Sequence, residues 1–87
     1  MKTIDYILNA KNNKRFGNHY VKIDGCIKSC IYHGTLICMI NTETKEFFIN
    51  RNEIFSIGSS RAAYKYIKGL TKRGFVEFTG NNLQTVL

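Results

Sequence analysis

The sequence has no proline and no tryptophan, and it is poor in acids, with six Asp and Glu against 13 Lys and Arg. The absence of proline excludes a proline-rich linker or docking segment. The longest unbroken apolar run, Leu36 to Ile40, has five residues, whereas a bilayer-spanning helix needs about 20. We therefore expect no membrane association. Nothing resembles a domain boundary, so the sequence predicts one domain over 1–87.

Cysteine is present in an odd number, as Cys26, Cys30 and Cys38. Near the N-terminus, Asp5 and Asn9 interrupt any apolar stretch that could serve as a secretory signal. An odd cysteine count without an export signal is typical of reduced thiols in a cytoplasm. We interpret the cysteines as core residues.

A metal or catalytic centre is not predicted. Cys26, Cys30, His33 and Cys38 are of the residue types found in zinc sites. Four residues along a strand, however, span about 13 Å, too far for two ligands of one ion. The acids are scattered along the chain, so no pair of carboxylates is implied. We predict a protein without cofactor or metal that is not an enzyme.

Hydrophobic periodicity predicts an α+β fold. It comprises a small antiparallel sheet of about four to five strands, packed by one main amphipathic helix, with a short N-terminal helix capped by Thr3. The segment 12–18 is predicted to be a loop. Gly25 and Gly34 follow Asp24 and His33 in turn dipeptides. Predicted strands cover 19–23, 26–32, 35–41 and 46–50.

The second helix is predicted to begin at a cap formed by Ser59 or Ser60 and to run to about Arg73, ended by Gly74. Residues 75–78 then return as a last strand. The expected order is α-β-β-β-β-α-β.

The second helix separates charge from apolar surface. Four cations follow the i, i+4, i+7, i+11 spacing and lie in a stripe about 60° wide around the helix axis. We call this set the basic stripe; it consists of Arg61, Lys65, Lys68 and Lys72. The opposite face carries Ala63, Tyr66, Ile67 and Leu70. No acid lies between Glu53 and Glu77 to relieve the repulsion of like charges.

Two interpretations of the basic stripe remain open. A row of cations matches a run of backbone phosphates, and Lys14 and Arg15 in the basic loop are candidates to assist. Alternatively, the stripe is an ordinary solvated helix face whose C-terminal cations suit the helix dipole.

Aromatic residues are interleaved with the basic residues: Phe16 lies beside Arg15, Tyr20 beside Lys22 and Tyr64 beside Lys65. They are of the type that stacks on unpaired bases. We favour structural roles, in which Phe16 anchors its loop and Tyr64 lies across the sheet rim with only its hydroxyl in water.

Part of the sequence resembles small bacteriophage and mobile-element proteins of unassigned function, over about residues 31 to 75. The resemblance is carried by Tyr32, Thr35, Ile37, the segment 47–50, Ser56 and Ser59-Ser60-Arg61. It implies a phage origin and a location in the cytoplasm of a bacterial host. Such proteins often interfere with host defence or with nucleic-acid metabolism.

The start of the second helix is also similar to the double-stranded RNA-binding domain, through Gly58, Ser60, Arg61 and Lys65 within an α-β-β-β-α order. That resemblance implies a basic helix N-terminus that grips phosphates. Ala62 and Tyr64 depart from the family's pattern.

Two functions follow as the leading hypotheses, ahead of a third, an enzyme that acts through a cysteine. The first is a non-enzymatic module that binds nucleic acid, RNA or DNA, through the basic stripe and largely independently of sequence. The second is a phage-encoded, anti-CRISPR-like inhibitor that docks on an acidic patch of a host or anti-phage defence protein.

Overall fold

The computed structural model describes residues 2–54 and 56–78, and the side chains within this part from residue 4 onward. The helices are α1 (Lys2–Asn9) and α2 (Ile57–Lys72), with a short 3₁₀ turn at Arg51–Glu53. The strands are β1 (Lys14–Phe16), β2 (His19–Asp24), β3 (Ile27–Tyr32), β4 (Thr35–Asn41), β5 (Glu46–Ile49) and β6 (Val76–Glu77). The α+β class is confirmed. No helix in this part of the chain is long and apolar enough to cross a membrane.

The sheet has six strands in the order β1-β2-β3-β4-β5-β6. Strands β1 to β5 form an antiparallel meander, and β6 pairs with β5 in parallel. The predicted antiparallel sheet of four to five strands was therefore wrong in strand count and in the direction of the last strand. Because α2 crosses the sheet before the chain returns, β6 enters beside β5 in the same direction.

Strand β1 lies in the segment that was predicted to be a loop. Its three residues pair with the start of β2, and Gly17 between the strands has a φ of 60°. The Asn-rich surroundings favour turns, but pairing with β2 supplies hydrogen bonds that a local pattern does not reveal.

The turn between β3 and β4 matches the prediction, whereas the turn between β2 and β3 is shifted by one residue, to Gly25 and Cys26 from the predicted Asp24 and Gly25. His33 and Gly34 both have positive φ, 51° and 79°, as a two-residue hairpin turn of type I′ requires. Gly25, with a φ of 60°, stands in the two-residue connection between β2 and β3.

Helix α2 begins earlier than predicted. Ser56, rather than Ser59 or Ser60, is the N-cap, and its hydroxyl accepts a hydrogen bond from the backbone N–H of Ser59 at 3.0 Å. The helix ends as expected, with Arg73 as C-cap and Gly74 at a φ of 88°. In α1, Thr3 lies within the first turn and not before it, so its predicted position as N-cap was wrong.

The core lies on one face of the sheet, under both helices. The pairing register places Val21, Cys30, Cys38 and Ile49 side by side on this face, and all four are buried in one cluster with side chains of α1 and α2. The helices meet at Gly69, where an added Cβ would lie 2.6 Å from Ile4 Cγ1. The absence of a side chain at position 69 thus permits their close approach.

A buried lysine ties α1 to this sheet face. Lys28 is only 7% exposed, and its Nζ donates hydrogen bonds to the carbonyl oxygens of Ile7, Leu8 and Ala10 at 2.9, 2.6 and 2.9 Å. The last carbonyls of a helix lack partners within the helix, and three acceptors match the three N–H donors of an ammonium group. Burial lowers the pKa of Lys28, whereas this arrangement favours its charged form.

Replacing Lys28 with Met keeps the volume of the side chain but removes one hydrogen-bond donor from each of three carbonyls. We expect Lys28→Met to lower the free energy of unfolding by about 1–3 kcal/mol, measured by urea denaturation. The exposed Lys22 on β2 provides the control, because Lys22→Met removes the same charge without these bonds. Equal midpoints for the two variants would contradict a capping role.

Candidate functional site

Helix α2 places its cations in solvent because its other face is buried. The buried residues are Ala62, Ala63, Tyr66, Gly69 and Leu70, and Tyr66 and Leu70 have no exposed surface. All four members of the basic stripe are exposed. The amphipathic orientation predicted for this helix is confirmed.

Acidic side chains of the described residues pair with cations outside the basic stripe. Arg73 Nε and Nη2 lie 2.9 and 2.7 Å from Oδ1 of Asp5 on α1. Arg51 forms an ion pair with Glu77. Across 2–54 and 56–78, no ion pair involves a member of the stripe. The four charges of the stripe are therefore not neutralised by carboxylates within this part of the protein.

Tyr64 lies beside the basic stripe and is exposed. Its side chain is 63% accessible, and Lys68 Nζ lies 6.0 Å from the centroid of its ring. The prediction that Tyr64 lies across the sheet rim with only its hydroxyl in water was wrong. At 100° per residue, position 64 is about 40° from position 68 and well away from the centre of the buried face; the ring therefore stays on the solvent side.

The structure separates the two basic residues of β1. Lys14 lies on the face that carries the helices, with Nζ 5.7 Å from the ring centroid of Phe16. Arg15 lies on the opposite face, 5.8 Å from the ring of Tyr20. Phe16 packs against the core and stacks on Tyr6 at 5.4 Å, as expected of an anchoring residue. Arg15 is thus not on the same face as the helices, and its predicted assistance to the stripe stays a prediction.

Two of the three cysteines are core residues, as predicted, whereas the prediction was wrong for Cys26, which is half-buried and lies outside the core cluster. Cys30 and Cys38 are opposite each other on β3 and β4 and are buried. Burial raises the pKa of the Cys38 thiol well above its usual value, so this group stays protonated, and a thiol in that state is a poor nucleophile. Among the described residues, no group of three or more His, Cys, Asp or Glu side chains is placed to hold a metal ion.

A hydrogen bond joins α2 to the sheet beneath the stripe. His19 Nδ1 on β2 lies 2.6 Å from the hydroxyl of Tyr66, and the His19 ring packs 4.9 Å from that of Tyr32. Burial lowers the pKa of His19, and electrostatic interactions with Lys65 and His33 lower it further. Burial also raises the pKa of Tyr66, so its hydroxyl keeps its proton and can donate it to the imidazole in the tautomer whose Nδ1 is unprotonated. Sequence reasoning missed this contact, which joins residues 47 positions apart.

The lowered pKa of His19 makes stability depend on pH. In the unfolded chain the imidazole gains a proton near pH 6.5, whereas in the folded protein it gains the proton only at a lower pH. The contribution of neutral His19 to the free energy of unfolding is therefore fully present above about pH 6.5. It is lost as the pH falls from there toward the pKa that His19 has in the folded protein. We expect Tm to fall between about pH 7.5 and pH 5. His19→Gln, which retains a hydrogen-bond acceptor for Tyr66, should lose less over the same interval. Parallel losses in both proteins would show that His19 is not the group responsible.

The chain matches no protein family, no curated protein and no solved structure. The resemblances to phage proteins and to the double-stranded RNA-binding domain stay predictions. Function is therefore inferred from the geometry of α2 and its surroundings.

Proposed function

We propose that this protein binds nucleic acid through the basic stripe, largely independently of sequence and without catalysis. The observation that carries the proposal is the exposure of Arg61, Lys65, Lys68 and Lys72 without ion-pair partners among the described residues. Cations that repel one another along one helix face destabilise the helix slightly. A polyanion relieves that repulsion.

The length of the stripe suits a row of phosphates. Its first and last members are 11 positions apart, which corresponds to about 16 Å along the helix axis. Nucleic acid carries closely spaced negative charges, and each cation that contacts a phosphate releases a counterion. Three of the four members are lysines, whose point-like charge lacks the fork with which arginine reads base edges. This composition favours contact with the backbone over recognition of sequence.

Reversing two charges of the stripe tests the proposal. We expect Lys65→Glu combined with Lys68→Glu to abolish a gel shift at low salt, because two attractive contacts become repulsive. The matched control combines Lys11→Glu with Lys22→Glu. Both lysines are exposed and outside the stripe, and either pair lowers the net charge from +7 to about +3.

The control pair should retain most of the binding. Equal losses in the two double variants would show that net charge, and not the stripe, is responsible. An unmodified protein that shifts neither RNA nor DNA at low salt would refute the proposal. Circular dichroism should show that both double variants remain folded, since all four positions are exposed.

A second candidate function is inhibition of a host or anti-phage defence protein by docking on an acidic patch. Ile57 favours this alternative, because it is 74% exposed and borders the same groove as Arg61 and Tyr64. An exposed aliphatic group next to cations suits a protein surface better than a phosphate backbone. A partner captured from nuclease-treated lysate, and lost in the variant with Lys65→Glu and Lys68→Glu, would support this function.

A further inference from the structure

The ring of Tyr64 is unusual among the aromatic rings of the described residues in being both exposed and unstacked. Tyr6 is also largely exposed, but it lies against Phe16 with ring centroids 5.4 Å apart and planes 14° from parallel. Across 2–54 and 56–78, no other ring stacks on Tyr64. The Tyr64 ring therefore exposes a large apolar surface to water.

Cations of the basic stripe lie beside this ring. Lys68 Nζ is 6.0 Å from its centroid. Of the shallow grooves that Tyr64 lines, two also border members of the stripe: one of about 440 Å³ borders Lys65, Lys68 and Lys72, and one of about 510 Å³ borders Arg61 and Lys65. Every member of the basic stripe thus borders at least one groove that Tyr64 also lines.

We propose that the nucleic acid bound by the basic stripe is single-stranded, and that Tyr64 stacks on one of its unpaired bases. This inference rests on the proposed function. Aromatic rings interleaved with cations stack on successive bases of single strands, and such stacking tolerates any sequence because every base has a flat face. In a duplex the base faces are already stacked within the helix, so an exposed ring gains little from them. Lys65 and Lys68, which border the grooves beside the ring, contact the flanking phosphates.

The experiment compares a labelled DNA 12-mer with the duplex of the same sequence by fluorescence anisotropy at low salt. The unmodified protein should bind the single strand more tightly. Tyr64→Ala should weaken single-strand binding about five- to 150-fold and leave duplex affinity nearly unchanged. Tyr64→Phe keeps the ring and should retain single-strand affinity. Tyr6→Ala removes an exposed tyrosine outside the stripe and should also bind normally.

The outcomes separate this inference from the proposal on which it rests. If Tyr64→Ala affects neither substrate, or both equally, stacking is refuted. If the protein prefers the duplex, the inference is also refuted. In either case the proposed function stands, provided that Lys65→Glu with Lys68→Glu abolishes binding. If the unmodified protein binds neither of these DNAs and neither the single strand nor the duplex of RNA of the same sequence, both fail. Since Tyr64 is exposed, loss of the fold does not confound these results.

Discussion

The burial of one side of α2 against the sheet is the constraint on which the surface of this protein depends. Tyr66 and Leu70 are fully buried and Ala63 nearly so, and each large apolar side chain gains about 1.5–3 kcal/mol from burial. Turning the helix by half a rotation would expose these groups and bury four cations, which is far more costly. Packing thus fixes which way the basic stripe faces, and the hydrogen bond from Tyr66 to His19 adds a directional contact.

The positive charges of the protein serve distinct roles. Lys28 is used inside the fold, where carbonyl oxygens at the end of α1 accept its hydrogen bonds. Arg73 and Arg51 connect elements through Asp5 and Glu77. Two of the six acids in the sequence are thus paired with cations that lie outside the stripe. The stripe keeps its charge exposed, because the ion pairs of the described residues join carboxylates to other cations.

Local patterns predicted the features that depend on local physics. The 3.6-residue period of α2 placed Leu70 in the core and Lys68 in solvent, and His33-Gly34 gave the hairpin turn between β3 and β4. Non-local features escaped prediction. Strand β1 exists through pairing with β2, and β6 takes its direction from the path of the chain after α2.

The candidate site was predicted in part for the same reason. Exposure of the stripe follows from periodicity, whereas the side on which Arg15 lies depends on strand register. The environment of Tyr64 depends on how far the sheet extends beneath α2. The periodicity of the helix carries no information about this extent. Nothing in the local pattern marks Lys28 as a capping residue, since its three acceptors come from positions 18 to 21 residues earlier.

The salt dependence of binding tests the central claim most directly, because it counts the cations that contact phosphate. If the four members of the stripe act together on a single strand, the logarithm of the association constant should fall with the logarithm of salt concentration at a slope of about −3. A slope near zero, or binding that persists unchanged at high salt, would show that the exposed cations of α2 are not the means by which this protein holds its partner.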